Sequence, residues 1–284
     1  MYVEHLRVPI DGGTLHAERL GRGSSAVVLV HGFGTNASLW RPVSARLATA
    51  GYLVLAPDLL GHGESDRPLD ASYDLASQAD VLERALSALR IGRAVVVGQD
   101  VGGLVALALA SRHPARVAKL VMLNPPDLTD LPPAPVRLMQ KAASRLALGV
   151  SSGRLGAAAL ISTLLADGVS DPAGLPASTL ARYLAPWAGP GGVEQLQLLA
   201  RALEGDHVSL EALAGVSTPT LIIRGAQDRS VPPTVALALA NALPNATLTT
   251  MPAMARLLAD DAPDALTHIL LEWITDATPA DRDA

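Results

Sequence analysis

Two spacings of apolar residues alternate along the chain. Short, β-branched apolar runs stand at Ala26–His31, Leu53–Ala56, Ala94–Gly98, Lys119–Asn124, Thr220–Arg224 and Ala246–Met251. Between them the apolar positions recur every three to four residues, over Leu39–Ala50, Leu75–Arg90, Gly103–Arg112, Pro233–Leu243 and Pro263–Thr275. Runs that are apolar throughout predict strands buried on both faces, and the helices between them serve as crossovers. The pattern therefore predicts an α/β fold with a mostly parallel central sheet flanked by helices. The N-terminal stretch differs. It alternates polar with apolar on either side of Asp11-Gly12-Gly13, which predicts a hairpin.

Strand runs cease between Pro125 and about Val208, where "PPDLTDLPPAPV" is followed by purely helical pattern. Because the interval follows a strand, it predicts a helical cap over the carboxyl edge of the sheet, where open α/β folds bind ligands. Residues 1–124 and 209–284 would then form the core and 125–208 the cap domain. The alternative is a helical extension with no part in the site.

Composition narrows the function classes. The chain has 284 residues, and 49% of them are hydrophobic, enough for a sizeable core without staples. It has no cysteine, which excludes disulfides and thiolate metal sites. A net charge of −5 argues against nucleic acid and anionic membrane surfaces as partners. The apolar runs are far shorter than the roughly 20 residues that span a bilayer, and the N-terminal stretch carries charge throughout. The expectation is a cytoplasmic protein acting on a small molecule, with a homodimer left open. "GRGSSA" at Gly21–Ala26 precedes a strand rather than following one, so it is no dinucleotide fingerprint. No spacing of His, Asp and Glu suggests a metal, and no cofactor is expected.

The chemistry concentrates at Gly98-Gln99-Asp100-Val101-Gly102. A valine run ends there and an alanine-rich helix begins. Gly-x-nucleophile-x-Gly is the pattern of a nucleophile elbow, a strained turn that lifts a reactive side chain above the sheet. The helix dipole and amide donors predict an ionised Asp100. The bland alternative is that Asp100 merely caps the helix, since aspartate is a good N-cap.

Neighbouring motifs extend the pattern. His31-Gly32-Phe33-Gly34 follows the first buried strand, "LAPDLLGHGESDRP" the next, and "TPTLIIRGAQDRSVPP" sets Asp228 just past a late strand. Together these resemble the α/β-hydrolase superfamily over nearly the whole chain. They are most similar to its aspartate-nucleophile branch, which includes epoxide hydrolases and haloalkane dehalogenases. That resemblance implies Asp100 as nucleophile, the amides of Phe33 and Val101 as oxyanion hole, and Asp228 as the acid that orients a catalytic histidine. His31, Gln99, Tyr183 and Trp187 are the candidate substrate-binding residues. Tyr183 and Trp187 stand four apart, on one face of a predicted helix.

The chain departs from the family where the histidine belongs. Met251-Pro252-Ala253-Met254-Ala255-Arg256 places Arg256 at that position. A guanidinium, with a pKa above about 12, cannot take a proton from water. Arg256 is expected instead to form a bidentate pair with Asp228 and project positive potential towards Asp100. Among the other histidines, His207 is the one placed to swing inwards. The halide-binding positions of dehalogenases hold Val101 and Phe33, which offer no side-chain donor. Three functions follow: a cofactor-independent, non-hydrolytic enzyme with Asp100 as acid and base, an epoxide hydrolase-like enzyme that forms an ester at Asp100, or a ligand-binding pseudoenzyme.

Overall fold

Five small apolar residues, Ala26–Val30, make a strand whose every position is buried. Such a strand can only sit in the middle of a covered sheet. In the computed structural model, which describes residues 2–147, 156–188, 191–204 and 211–276, this strand is β3 of an eight-stranded sheet in the order β1-β2-β4-β3-β5-β6-β7-β8. The other strands are β1 (Glu4–Ile10), β2 (Gly13–Leu20), β4 (Leu53–Pro57), β5 (Ala94–Gln99), β6 (Val117–Leu123), β7 (Thr220–Gly225) and β8 (Ala246–Met251). The polar-apolar alternation does form an antiparallel hairpin, β1 with β2. Strand β2 joins β4 antiparallel, and every remaining pair is parallel.

The crossover helices are α1 (Arg41–Thr49), α2 (Leu75–Ala88), α3 (Val101–Arg112), α8 (Pro233–Ala242) and α10 (Pro263–Thr275), each close to its sequence expectation. Helix α1 packs on α10 and α2 on α3. Helix α3 is buried from Val101 to Ala110, so it is apolar all round rather than amphipathic.

Between β6 and β7 the described chain is helical: α4 (Ala134–Ala147), α5 (Ala157–Ala166), α6 (Ala177–Leu184) and α7 (Gly192–Ala202). Backbone carbonyls and long side chains tie these helices to loops that leave the carboxyl ends of the core strands. Asn36 Nδ2 donates to the Arg182 carbonyl at 2.9 Å, and Gln195 Nε2 donates to the Gly61 carbonyl at 3.3 Å. The Leu257 amide donates to the Gly168 carbonyl at 2.7 Å. No described helix is long and apolar enough to cross a membrane.

Candidate active site

Strand β5 runs without a break into α3, and the one residue between them is Asp100, with φ 55° and ψ −129°. A non-glycine residue seldom occupies this region, and the conformation costs of order 1–3 kcal/mol. Close packing holds it there. A Cβ on Gly98 would come within 2.1 Å of the Gly102 carbonyl, and one on Gly102 within 2.3 Å of the His31 carbonyl. Both flanking glycines are thus required by the approach of backbone to backbone. The Asp100 side chain makes no capping hydrogen bond to α3. It therefore does not serve as an N-cap, which removes the bland alternative.

The carboxylate turns to the loop after β3 instead. Oδ2 accepts from the Phe33 amide at 3.2 Å, and the Val101 amide also favours the charged carboxylate. Both expected oxyanion donors therefore act on Asp100 itself. Burial pushes the Asp100 carboxyl above its ordinary pKa, outweighing the Arg256 charge and both amides, which act the other way. At 2% exposure, desolvation is the effect that the sequence did not reveal.

Arg256 is 3% exposed, with Nη1 3.7 Å from Asp100 Oδ2. Its Nη2 donates to the Leu164 carbonyl of α5 at 2.8 Å. The expected bidentate pair with Asp228 is absent. Asp228 Oδ1 accepts instead from the Ser230 and Val231 amides at 2.7 and 3.3 Å, closing its own turn. Burial raises the Asp228 carboxyl, with those amides and the Arg256 charge opposing. Three buried polar atoms lack a hydrogen-bond partner among the described residues here: Arg256 Nε, Asp228 Oδ2 and Gln99 Nε2. The Gln99 amide is oriented by its other end, since Oε1 accepts from the Ala259 amide at 3.1 Å.

Two histidines are buried beside the loop after β3. His31 is fully buried; its Nδ1 lies 2.8 Å from the Gly32 carbonyl and its Nε2 accepts from the Leu59 amide at 3.0 Å. Both nitrogens thus hold the loops, and burial lowers its pKa, so it braces the site as a neutral ring. Burial, with His31 alongside, brings His62 down to about 3. His62 meets the rings of His31, Phe33 and Trp187 edge-on. His207 lies outside the described residues.

Tyr183 and Trp187 do not share a helix face. Helix α6 ends at Leu184, and Trp187 belongs to a separate short 3-10 helix that begins with Ala185-Pro186. The Tyr183 hydroxyl donates to the Asp260 carboxylate at 3.0 Å, and the Trp187 ring lies under the Arg67 guanidinium. Sequence reasoning missed Asn124. Its Nδ2 donates to the Ala255 and Arg256 carbonyls at 2.8 and 3.0 Å, and its Oδ1 accepts from the Gly225 amide, so it fixes the backbone that carries Arg256. It also missed Gly168, where a Cβ would lie 2.8 Å from Arg256 Nη2. Among the described residues no group of His, Asp and Glu could hold a metal.

The fold has counterparts among known proteins. The family described as alpha/beta hydrolase fold matches residues 25–263. The chain belongs to the α/β-hydrolase family. Over 260 residues this α/β-hydrolase is 30% identical to the 2-hydroxy-6-oxononadienedioate/2-hydroxy-6-oxononatrienedioate hydrolase of Burkholderia vietnamiensis, covering 86% of each chain. Proteins of Mycobacterium tuberculosis and Mycobacterium bovis are 39% identical over 117 residues, which is 41% of this chain and only about a third (34%) of those relatives. The crystal structure of wild-type Cfl2 from Burkholderia cenocepacia superposes with a TM-score of 0.82 at 25% identity, covering 95% of both chains. With such relatives, the chain is an enzyme of the α/β-hydrolase fold.

Proposed function

We propose that this enzyme rearranges a bulky, largely apolar small molecule without hydrolysing it, with Asp100 as acid and base and no cofactor. The reaction class is cyclisation, isomerisation or C–C bond-forming addition, carried out beneath a cap formed by residues 125–208. One observation carries the reading: a buried guanidinium stands 3.7 Å from Asp100 Oδ2, where a water-activating base would have to be. A guanidinium is not a base that can take a proton from water, so it cannot generate hydroxide. Burial raises the Asp100 carboxyl above its ordinary range, which makes it a better proton acceptor than a solvent-exposed aspartate. Asp100 takes a proton from an acidic C–H or O–H. The resulting anion attacks within the same molecule, and Asp100 returns the proton to the new centre. No atom of water enters.

Asp100→Asn should abolish turnover while the fold persists. Product formed in ¹⁸O-labelled water should carry no label, and label in the product overturns the reading.

A second reading has its own support. With Oδ2 turned to the amide of Phe33, the other carboxylate oxygen is available as a nucleophile, as an epoxide hydrolase-like ester mechanism requires. Intact mass spectrometry after exposure to substrate separates the two readings. A lasting adduct at Asp100 selects the ester.

A further inference from the structure

The amides that would ordinarily receive an oxyanion act on Asp100 itself. Any negatively charged oxygen on the substrate must therefore be met by other donors. Two are buried at this site without a partner among the described residues. Gln99 is wholly buried, its carbonyl end is fixed by the Ala259 amide, and its Nε2 has no acceptor. Arg256 is 3% exposed, donates through Nη2 to Leu164, and has no acceptor for Nε. Leaving such donors unpaired costs about 1–3 kcal/mol each, and more for a charged group. One residue, Asp100, separates the end of Gln99's strand from α3, and the Ala259 contact brings Gln99 to the segment that begins with Arg256.

From this we infer that the enzyme binds a planar oxyanion, a carboxylate or an enolised 1,3-diketone, whose paired oxygens accept from Gln99 and Arg256. The inference rests on the placement of the chemistry at Asp100, and it holds whether or not water enters the product. It adds a substrate class to the apolar body already proposed. It also has an electrostatic consequence. The charged groups that face Asp100 are Arg256 and Asp228. A third negative group brought beside these two buried carboxyls cannot be accommodated with all of them ionised, so binding is accompanied by proton uptake.

The probes are benzoate, its neutral isostere benzamide, and 1,3-cyclohexanedione as the enolisable diketone. Titration calorimetry between pH 6 and 8, in buffers of differing ionisation enthalpy, reads affinity and proton uptake together. The expected result is benzoate or the diketone binding at least about tenfold more tightly than benzamide, as charge-assisted hydrogen bonds provide. Affinity for the anion should rise by up to about tenfold per unit fall in pH, with as much as one proton taken up. Arg256→Met and Gln99→Leu should each erase most of the preference for the anion over benzamide. The comparison within the unaltered enzyme stands even where Arg256→Met fails to fold. A preference for benzoate over the diketone, or the reverse, assigns the oxyanion. Equal affinity for charged and neutral probes, no binding of either anion, or a preference that survives both substitutions overturns the inference. These readouts need no turnover, so they fail independently of the isotope experiment.

Discussion

In the proposed reaction Arg256 is the residue on which the chemistry turns, and its atoms are held one by one. Its Nη2 is tied to the Leu164 carbonyl, its backbone is fixed by Asn124, and Gly168 leaves room for its tip. If its charge is what stops water attack, Arg256→His should supply the missing base. A well-placed general base contributes about 10²–10⁴-fold, so that variant should raise ¹⁸O incorporation from water at least about 100-fold over the parent. The check is isotope-ratio mass spectrometry of product, and an unchanged ratio counts against the role given to Arg256. An arginine where the resemblance expects a histidine could be read from the chain because four other motifs stand in order around that position. The partner of Arg256 was not legible. A guanidinium beside two acids could turn to either, and which one it approaches depends on a carbonyl 92 residues away in α5.

Among the elements, the segment after β8 shows what patterns miss. The short helix α9 (Leu258–Asp261) had no periodicity to announce it, yet it receives both the Gln99 contact and the Tyr183 hydroxyl of α6. Burial pushes the Asp260 carboxyl up to about 7, with Asp261 adding to the rise and Tyr183 and Arg182 opposing it. A carboxyl with a raised folded-state pKa gives stability that is complete below its unfolded value, near 4, and is lost as pH rises through about 7. Asp260→Asn removes that loss. Relative to the parent it should therefore gain stability between pH 5 and pH 8, by at most about 3 kcal/mol. Urea midpoints for both proteins at the two pH values test this, and a constant difference rules it out. The six strand runs and most helices, by contrast, matched their apolar spacing within about two residues. Burial on both faces leaves five of the runs few other choices, whereas β8, at the sheet edge, is buried only at Met251 and was not the doubly covered strand expected.

Across the molecule, the helices between β6 and β7 share hydrogen bonds with three separate loops of the sheet's carboxyl end, through Asn36, Gly61 and Gly168. Ile161 of α5 also packs on Gly34, in the loop that presents Phe33. Contacts this dispersed predict one cooperative unit rather than a core with a loose attachment. Far-ultraviolet circular dichroism and Trp187 fluorescence, the latter isolated by difference against Trp187→Phe, should give coincident thermal transitions. A Trp187 transition well below the other would show that these helices melt first. The sequence predicted an insertion over 125–208. The docking was invisible in it, since backbone carbonyls supply half of each contact and carry no residue identity.

Asp100 sits in a backbone conformation that suits glycine, with a carboxyl that water would solvate better than the protein does. Replacing it with glycine should make the protein melt at a higher temperature and leave it inert. Durability and reactivity thus pull in opposite directions at this one position, and a lineage that ceased to need the reaction would have a thermodynamic reason to discard the acid.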